Sequence, residues 1–348
     1  PRLYRTQILR PFVILKKIVL LCFQILIPMN LYPLSFAPIF KERIWGGEKL
    51  EKELHKPIHQ PLIGESWEVS TVKGDVSVIS NGALKGTSLQ ALIEQAPEAL
   101  LGRAVYKRFG TDFPLLIKFI DAAQDLSIQV HPDDALAKAR HNSFGKTEMW
   151  YIMEADPEAS IIIGFNKNVS REEYQTHLAD KTLSQLLHYE KVGHGDMFFI
   201  PAGKIHAIGA GVLLAEIQQT SDITYRVYDF DRKDKNGNYR ELHTELALDA
   251  IDFEQKDDFR KTYTKAENTV NPAVTSPYFT TDYLKINQEM PLTLSGESFH
   301  IYIGVAGKGS LQYGDMELPL EKGQTLLVPA SCKEISLKGH MEVLQVSC

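Results

Sequence analysis

Gly195-Asp196-Met197-Phe198-Phe199-Ile200-Pro201-Ala202-Gly203-Lys204-Ile205-His206 is the stretch from which the rest of the chain is read. Met197 to Ile200 form an apolar run of strand type. Pro201 and Gly203 supply turn chemistry, one with a fixed φ and the other conformationally permissive. His206 then opens a return strand with its imidazole aimed inward. A second stretch, Ser127-Ile128-Gln129-Val130-His131-Pro132-Asp133-Asp134, follows the apolar strand candidate Phe113 to Ile120. Side chains alternate between faces along a strand, so Ser127, Gln129 and His131 share one side. Pro132 cannot continue the ladder, which ends the strand just after His131. Gln129 and His131 are thereby placed as two ligands of one metal, or, more plainly, as part of a solvated strand face. Glu148 lies in the alternating segment Lys146 to Met153, a candidate next strand.

The Gly195–His206 run has the form G-x5-P-x-G-x2-H, one of the two signatures of the cupin β-barrel. The other signature, H-x-H followed closely by Glu, is altered. Gln129 replaces its first His, and Glu148 stands further downstream. With "LSIQVHPDD", "KTEMWYI", "PAGKIHAIGAG", "EIQQTSDITYRVYDFDR", "IWGG" and "GESWEVS", the chain resembles the type I mannose-6-phosphate isomerases (phosphomannose isomerases) from about Leu31 to its C-terminus. The resemblance implies a mainly β protein of two cupin-type jelly-roll β-barrels, with a few short helices in and around the first. It implies a catalytic domain at 29–265 and a second jelly roll at 266–348. Within the latter, Gly323 to Pro329 repeats G-x5-P. Ser331 stands where the turn Gly would be and Glu334 where the His would be, so this barrel is expected to be metal-free.

Bulk properties narrow the choice. A chain of 348 residues can bury a sizeable core. Its net charge of −6 and lack of a basic block disfavour nucleic acid. Cys22, Cys332 and Cys348 have neither metal-type nor disulfide-type spacing, which fits a reducing, cytoplasmic setting. Residues 1–28 are basic and apolar, but Lys16 and Lys17 split an apolar run shorter than the roughly 20 residues of a spanning helix. Met29 is read as the initiator, with 1–28 upstream of the fold and no membrane role for the folded part. A leader or export signal is the alternative.

Ser88 or Thr87 caps a helix through "LQALIEQAPEALLG" that Pro97 splits and Gly102 ends. Asp133 and Asp134 favour the start of a short helix that runs to about His141. Ser170 to Glu173 form a capping box for a helix through about Leu187. Val212 to Phe230 give two strands around a turn at Ser221-Asp222, and "ELHTELALDAI" a short helix. Asp257 to Val274 read as a polar linker.

Gln129, His131, Glu148 and His206 together make a ligand set suited to one Zn²⁺, with iron or manganese as alternatives. Moving a proton between C1 and C2 of an open-chain sugar places negative charge on oxygen, which a cation must stabilise. By the resemblance, Arg226 is the catalytic arginine, Glu216 and Lys146 are active-site residues, and Lys118 and Ser127 grip the phosphate of a phosphosugar. Asp222 is placed to orient Arg226. Arg226 is expected across the sugar from Gln129 and His131. Glu216, Lys146 and a water on the metal all remain candidates for the base. A cupin dioxygenase and a non-catalytic sugar-binding module are the competing readings. Oligomeric state is not legible.

Overall fold

Leu115–Ala122 is buried at every position, so it needs cover on both faces. It receives that cover inside a seven-stranded antiparallel sheet. The order is Arg260–Lys261, Met197–Ile200, Glu148–Ala155, Val212–Gln219, Leu115–Ala122, Ile39–Gly47 and Ile63–Val69, with the last also paired to Leu115–Ala122. A five-stranded sheet faces it, in the order Leu187–Lys191, Ser160–Phe165, His206–Ile208, Ile128–Val130 and Tyr225–Tyr228. These elements come from a computed structural model, in which residues 30–234 and 236–348 are described and Tyr32–Cys348 form a compact unit. The expectations for residues 1–28 lie outside the described residues.

The strand alternation sorts side chains between the two faces. Trp150, Ile152, Leu214, Ile120 and Phe198 turn inward to meet Ile161, Ile163 and Ile208 of the five-stranded sheet. On the outer face of that sheet, Ile128, Val130, Ala207 and Val227 pack under Tyr174 and Leu248 from the helices Arg171–Ala179 and Thr244–Ala250.

Several sequence expectations change here. The strands that carry Lys118 and Gln129 belong to opposite sheets, and so do those that carry Glu216 and Arg226. The segments between them therefore cross from one sheet to the other, because each strand has apolar residues to bury against a different neighbour. The helix capped by Ser170, whose hydroxyl accepts from Glu173 N at 3.1 Å, stops at Ala179. Lys181 turns into the left-handed region (φ 57°), and a 3₁₀ turn at Leu183–Leu186 buries two leucines before Leu187–Lys191 joins the sheet. Gly102 ends its helix as expected, with Pro97 dividing it, but a further helix, Arg103–Phe109, follows. The polar linker contains two strands. Arg260–Lys261 pairs with Met197 and Phe198, and its polarity reflects ion pairs from Arg260 to Asp196 (2.6 Å) and Glu190 (2.8 Å).

The C-terminal strands form a second seven-stranded sheet built on two 14-residue strands, His300–Tyr313 and Glu334–Ser347. The repeated turn is visible there, as Thr325–Val328 leads into Pro329. Glu334 lies exposed on the sheet surface and accepts from the Thr293 hydroxyl at 2.9 Å. This second sheet meets the outer face of the first. Leu34 and Leu327 exchange backbone hydrogen bonds, the Tyr151 hydroxyl reaches Glu342 at 3.4 Å, and the rings of Phe113 and Phe299 lie 4.8 Å apart.

Candidate active site and metal centre

Two cross-strand rows face each other across the space between the sheets. In the five-stranded sheet Gln129 is the register partner of His206 on one side and of Arg226 on the other. Register partners on one face are neighbours, so the three side chains stand in line. In the seven-stranded sheet Glu216 pairs with Trp150 and Lys118, and Lys118 pairs with Trp67. Trp150, Glu216, Lys118 and Trp67 thus form the second row. Glu148 is two residues before Trp150 and shares its face.

The turn at Pro201–Lys204 brings the ligands together. Gly203 has φ +89° and donates its N–H to His131 O at 2.9 Å, which ties the turn before His206 to the end of the Gln129 strand. His131 Nδ1 donates to Ile223 O (2.9 Å), and His206 Nδ1 donates to Lys204 O (2.8 Å). A carbonyl only accepts, so both rings keep the Nε2 lone pair available, in the arrangement typical of metal-ligating histidines. Glu148 places Oε1 3.4 Å from His206 Nε2 and Oε2 3.7 Å from His131 Nε2. The candidate ligand atoms of His131, Glu148 and His206 lie within 4.8 Å of one another. Glu148 Oε1 is buried without a hydrogen-bond partner, and the Lys146 ammonium bonds Glu148 Oε2 and sits 3.1 Å from His131 Nε2. A cationic group is therefore already drawn to this point, and the donor set fits a divalent metal. The Gln129 amide lies 3.4 Å from His206 Nε2, within reach of the same centre.

Electrostatics agree with that chemistry. Burial, then Lys146, pushes His206 down to about 4, and the same two influences hold His131 well below its usual value. Both imidazoles are neutral at pH 7, the form that binds metal. Burial and the neighbouring Glu216 raise Glu148, against the pull of Lys146. Burial would also raise Glu216, but Lys146 and Lys118 outweigh it and hold the carboxylate ionised.

Beside the metal residues opens a cavity of about 450 Å³. Arg226, Lys146, Glu216, Asp222, Lys118, Ser127 and Gln129 all line it. Lys118 is buried, with Nζ 3.2 Å from Glu216 Oε1 and 5.0 Å from the centre of the Trp67 ring, so it is no surface lysine. Arg226 stands beside Gln129 on the same sheet, not across the cavity from it; strand pairing, invisible in the local sequence, decides this. Among the described residues Asp222 makes no ion pair with Arg226. It lies exposed at the cavity edge, and the arginine is braced instead by Glu241 O (2.7 Å from Nη1) and by His243, which exchanges backbone-directed bonds with it. Arg226 Nε is buried and has no hydrogen-bond partner among the described residues. Sequence reasoning assigned no role to Arg43, Glu65 and Arg240. Arg43 pairs with Glu65 at 2.8 Å, and Arg240 Nε with Asp229 at 2.6 Å. The alternation in Glu65-Ser66-Trp67 carried a signal for Glu65 and Trp67; Arg240 comes from a loop with none.

Comparison with known proteins decides the family. Residues 34–170 match the phosphomannose isomerase type I catalytic domain, and 269–348 match the mannose-6-phosphate isomerase cupin domain. The chain is 36% identical over 324 residues to mannose-6-phosphate isomerase ManA of Bacillus subtilis, covering 91% of this chain and 99% of that protein. The chain belongs to the type I phosphomannose isomerase family. The mannose-6-phosphate isomerase of Streptococcus mutans is likewise 36% identical over 313 residues, 90% of this chain and 97% of that protein. The crystal structure of the Bacillus subtilis mannose 6-phosphate isomerase superposes with a TM-score of 0.83 at 35% identity, covering 91% of this chain and all of that one (100%). A Salmonella typhimurium phosphomannose isomerase shares the fold at 18% identity, with a TM-score of 0.75 over 91% of this chain and 99% of that one. This member of the family is therefore an enzyme of the isomerase class with a mainly β, cupin-type fold.

Proposed function

We propose that the protein interconverts D-mannose 6-phosphate and D-fructose 6-phosphate through an enediol or enediolate. The observation that carries this reading is the pair of facing rows. Gln129, His206 and Arg226 stand on one sheet, Glu148 and a Glu216–Lys118 pair on the other, and a sugar-sized cavity lies between them.

Gln129, His131, Glu148 and His206 would hold one divalent ion, with zinc the best fit to this ligand set. Such an ion supplies Lewis acidity to an oxygen that gains charge as the proton moves. Arg226 makes no ion pair among the described residues, whereas Lys118, Lys146, Arg43 and Arg240 all face carboxylates. It is thus the cavity cation most ready to hold an oxyanion, and a guanidinium stays charged throughout. Lys146 and Glu216 sit 3.7 Å apart as ammonium and carboxylate, a complementary acid and base for the transfer between C1 and C2. Lys118 and Ser127, which also line the cavity, are assigned to the phosphate. Asp222 at the cavity edge limits where that dianion can lie.

The reading extends to organisation. Residues 29–265 form the catalytic domain and 266–348 a second jelly roll without a metal, which the separate family matches support. A cytoplasmic setting suits Cys332 and Cys348, which form no disulfide among the described residues. No described helix is long and apolar enough to cross a membrane.

A coupled assay with mannose 6-phosphate, run with and without a chelator, tests the function. Turnover that is lost on chelation and restored by Zn²⁺ is expected. Absence of isomerisation by the metal-loaded protein would overturn the reading.

A further inference from the structure

We infer that Trp150 is a positioning residue for Glu216, acting through its indole N–H. This rests on the isomerase reading above and deepens it. Trp150 is fully buried and does not line the cavity, so it meets no substrate. Its Nε1 donates to Glu216 Oε2 at 3.0 Å. Its ring packs edge-on against His206, with centroids 5.5 Å apart and planes at 77°. The two residues are direct register partners, so the backbone itself holds donor and acceptor side by side.

The chemistry of the bond makes it more than packing. A carboxylate on a buried strand can rotate about its last bond and present either oxygen. An indole N–H only donates, and it lies at one side of Glu216. It therefore captures Oε2 and leaves Oε1 facing Lys118 at 3.2 Å and Lys146 at 3.7 Å. Among the described residues the buried Oε1 has no partner beyond these two ammonium groups. That is the oxygen left available to the sugar. Trp150 is thus the clamp that keeps the reactive oxygen aimed into the cavity, and its contact with His206 keeps the clamp in register with the metal side.

The test removes the N–H and nothing else. Replacing Trp150 with benzothienylalanine, in which sulfur stands for the indole nitrogen, preserves ring shape and packing. With mannose 6-phosphate as substrate, kcat should fall about 10- to 100-fold, the range for losing a buried hydrogen bond to a charged group. KM should stay within about twofold, since no substrate contact is lost. Metal content by elemental analysis and Tm should match the wild type. Trp150→Phe is the second variant and should show the same kcat loss with KM retained. Wild-type kcat in either folded, metal-loaded variant would overturn the inference, as would a loss that tracks only a lower Tm or lower metal content. Inactivity of the wild-type protein itself toward mannose 6-phosphate would instead strike the functional reading, so the two failures are distinguishable.

Discussion

At the scale of single residues, part of the candidate metal set was legible because strand geometry is local. Two-residue spacing placed Gln129 and His131 on one face without knowledge of any partner strand. His131→Ala should lose both bound metal and activity, whereas Glu334→Ala, on an exposed surface of the second sheet, should leave metal content unchanged; elemental analysis of the purified variants checks both. Arg226 was legible as a residue and not as a position. Its neighbour Gln129 is remote in sequence, and only pairing brings them together. If Arg226 holds charge that develops in the transition state, Arg226→Ala should lower kcat on the order of 10²-fold or more with little change in KM. A raised KM with kcat intact would assign it to the phosphate instead. Steady-state kinetics separates the two.

At the scale of elements, the turn between Met197–Ile200 and His206–Ile208 was read correctly from Pro201 and Gly203. What the reading lacked was the turn's second task. Gly203 N bonds His131 O, and a Cβ at this position would come within 3.0 Å of Ala250 O, in a backbone conformation that L side chains rarely adopt. Gly203→Ala should therefore destabilise the protein by about 1–3 kcal/mol and weaken metal affinity, because it shifts His131 and His206 together. Urea unfolding and metal titration would show the coupled loss. Helix ends were the weaker part of the reading. The Ser170 cap marked a start, but the stop at Ala179 depends on Leu183, Leu186 and Leu187 reaching the core, a tertiary demand that overrides a continuing helical pattern.

At the scale of the whole molecule, the second sheet covers the outer face of the first. Met149, Tyr151, Met153, Leu213, Ala215 and Ile217 are all buried, on the face opposite the cavity. A chain that ends at residue 265 should expose much of this face and aggregate or unfold, as light scattering and circular dichroism would reveal. The second sheet also carries its own pH sensitivity. His300 is buried, and burial alone pushes it down to about 4 from its ordinary 6.5. Its folded value lies below its unfolded value, so the unfolded chain binds more protons as pH falls. The stability it permits is complete above about 6.5 and is lost progressively toward about 4. At pH 5 this single group should cost about 2 kcal/mol relative to pH 7. His300→Gln should flatten that part of the pH–stability curve in denaturant titrations.

The sequence by itself determined a mainly β class of fold, the turn before His206 and a candidate set of metal ligands. The turn and the shared face of Gln129 and His131 follow from alternation, turn chemistry and residue type within short stretches, whereas Glu148 and His206 join the set through the resemblance to the family. The same resemblance pointed to Lys118, Lys146, Glu216 and Arg226 as candidate acting groups, and all four line the cavity. Only the tertiary structure decided which sheet each belongs to, that Arg226 stands beside Gln129, that Asp222 makes no ion pair with it among the described residues, and that the Trp150 indole donates to Glu216. These are contacts between strands far apart in the chain. Their register is set by which faces can be buried together, and no local pattern encodes it.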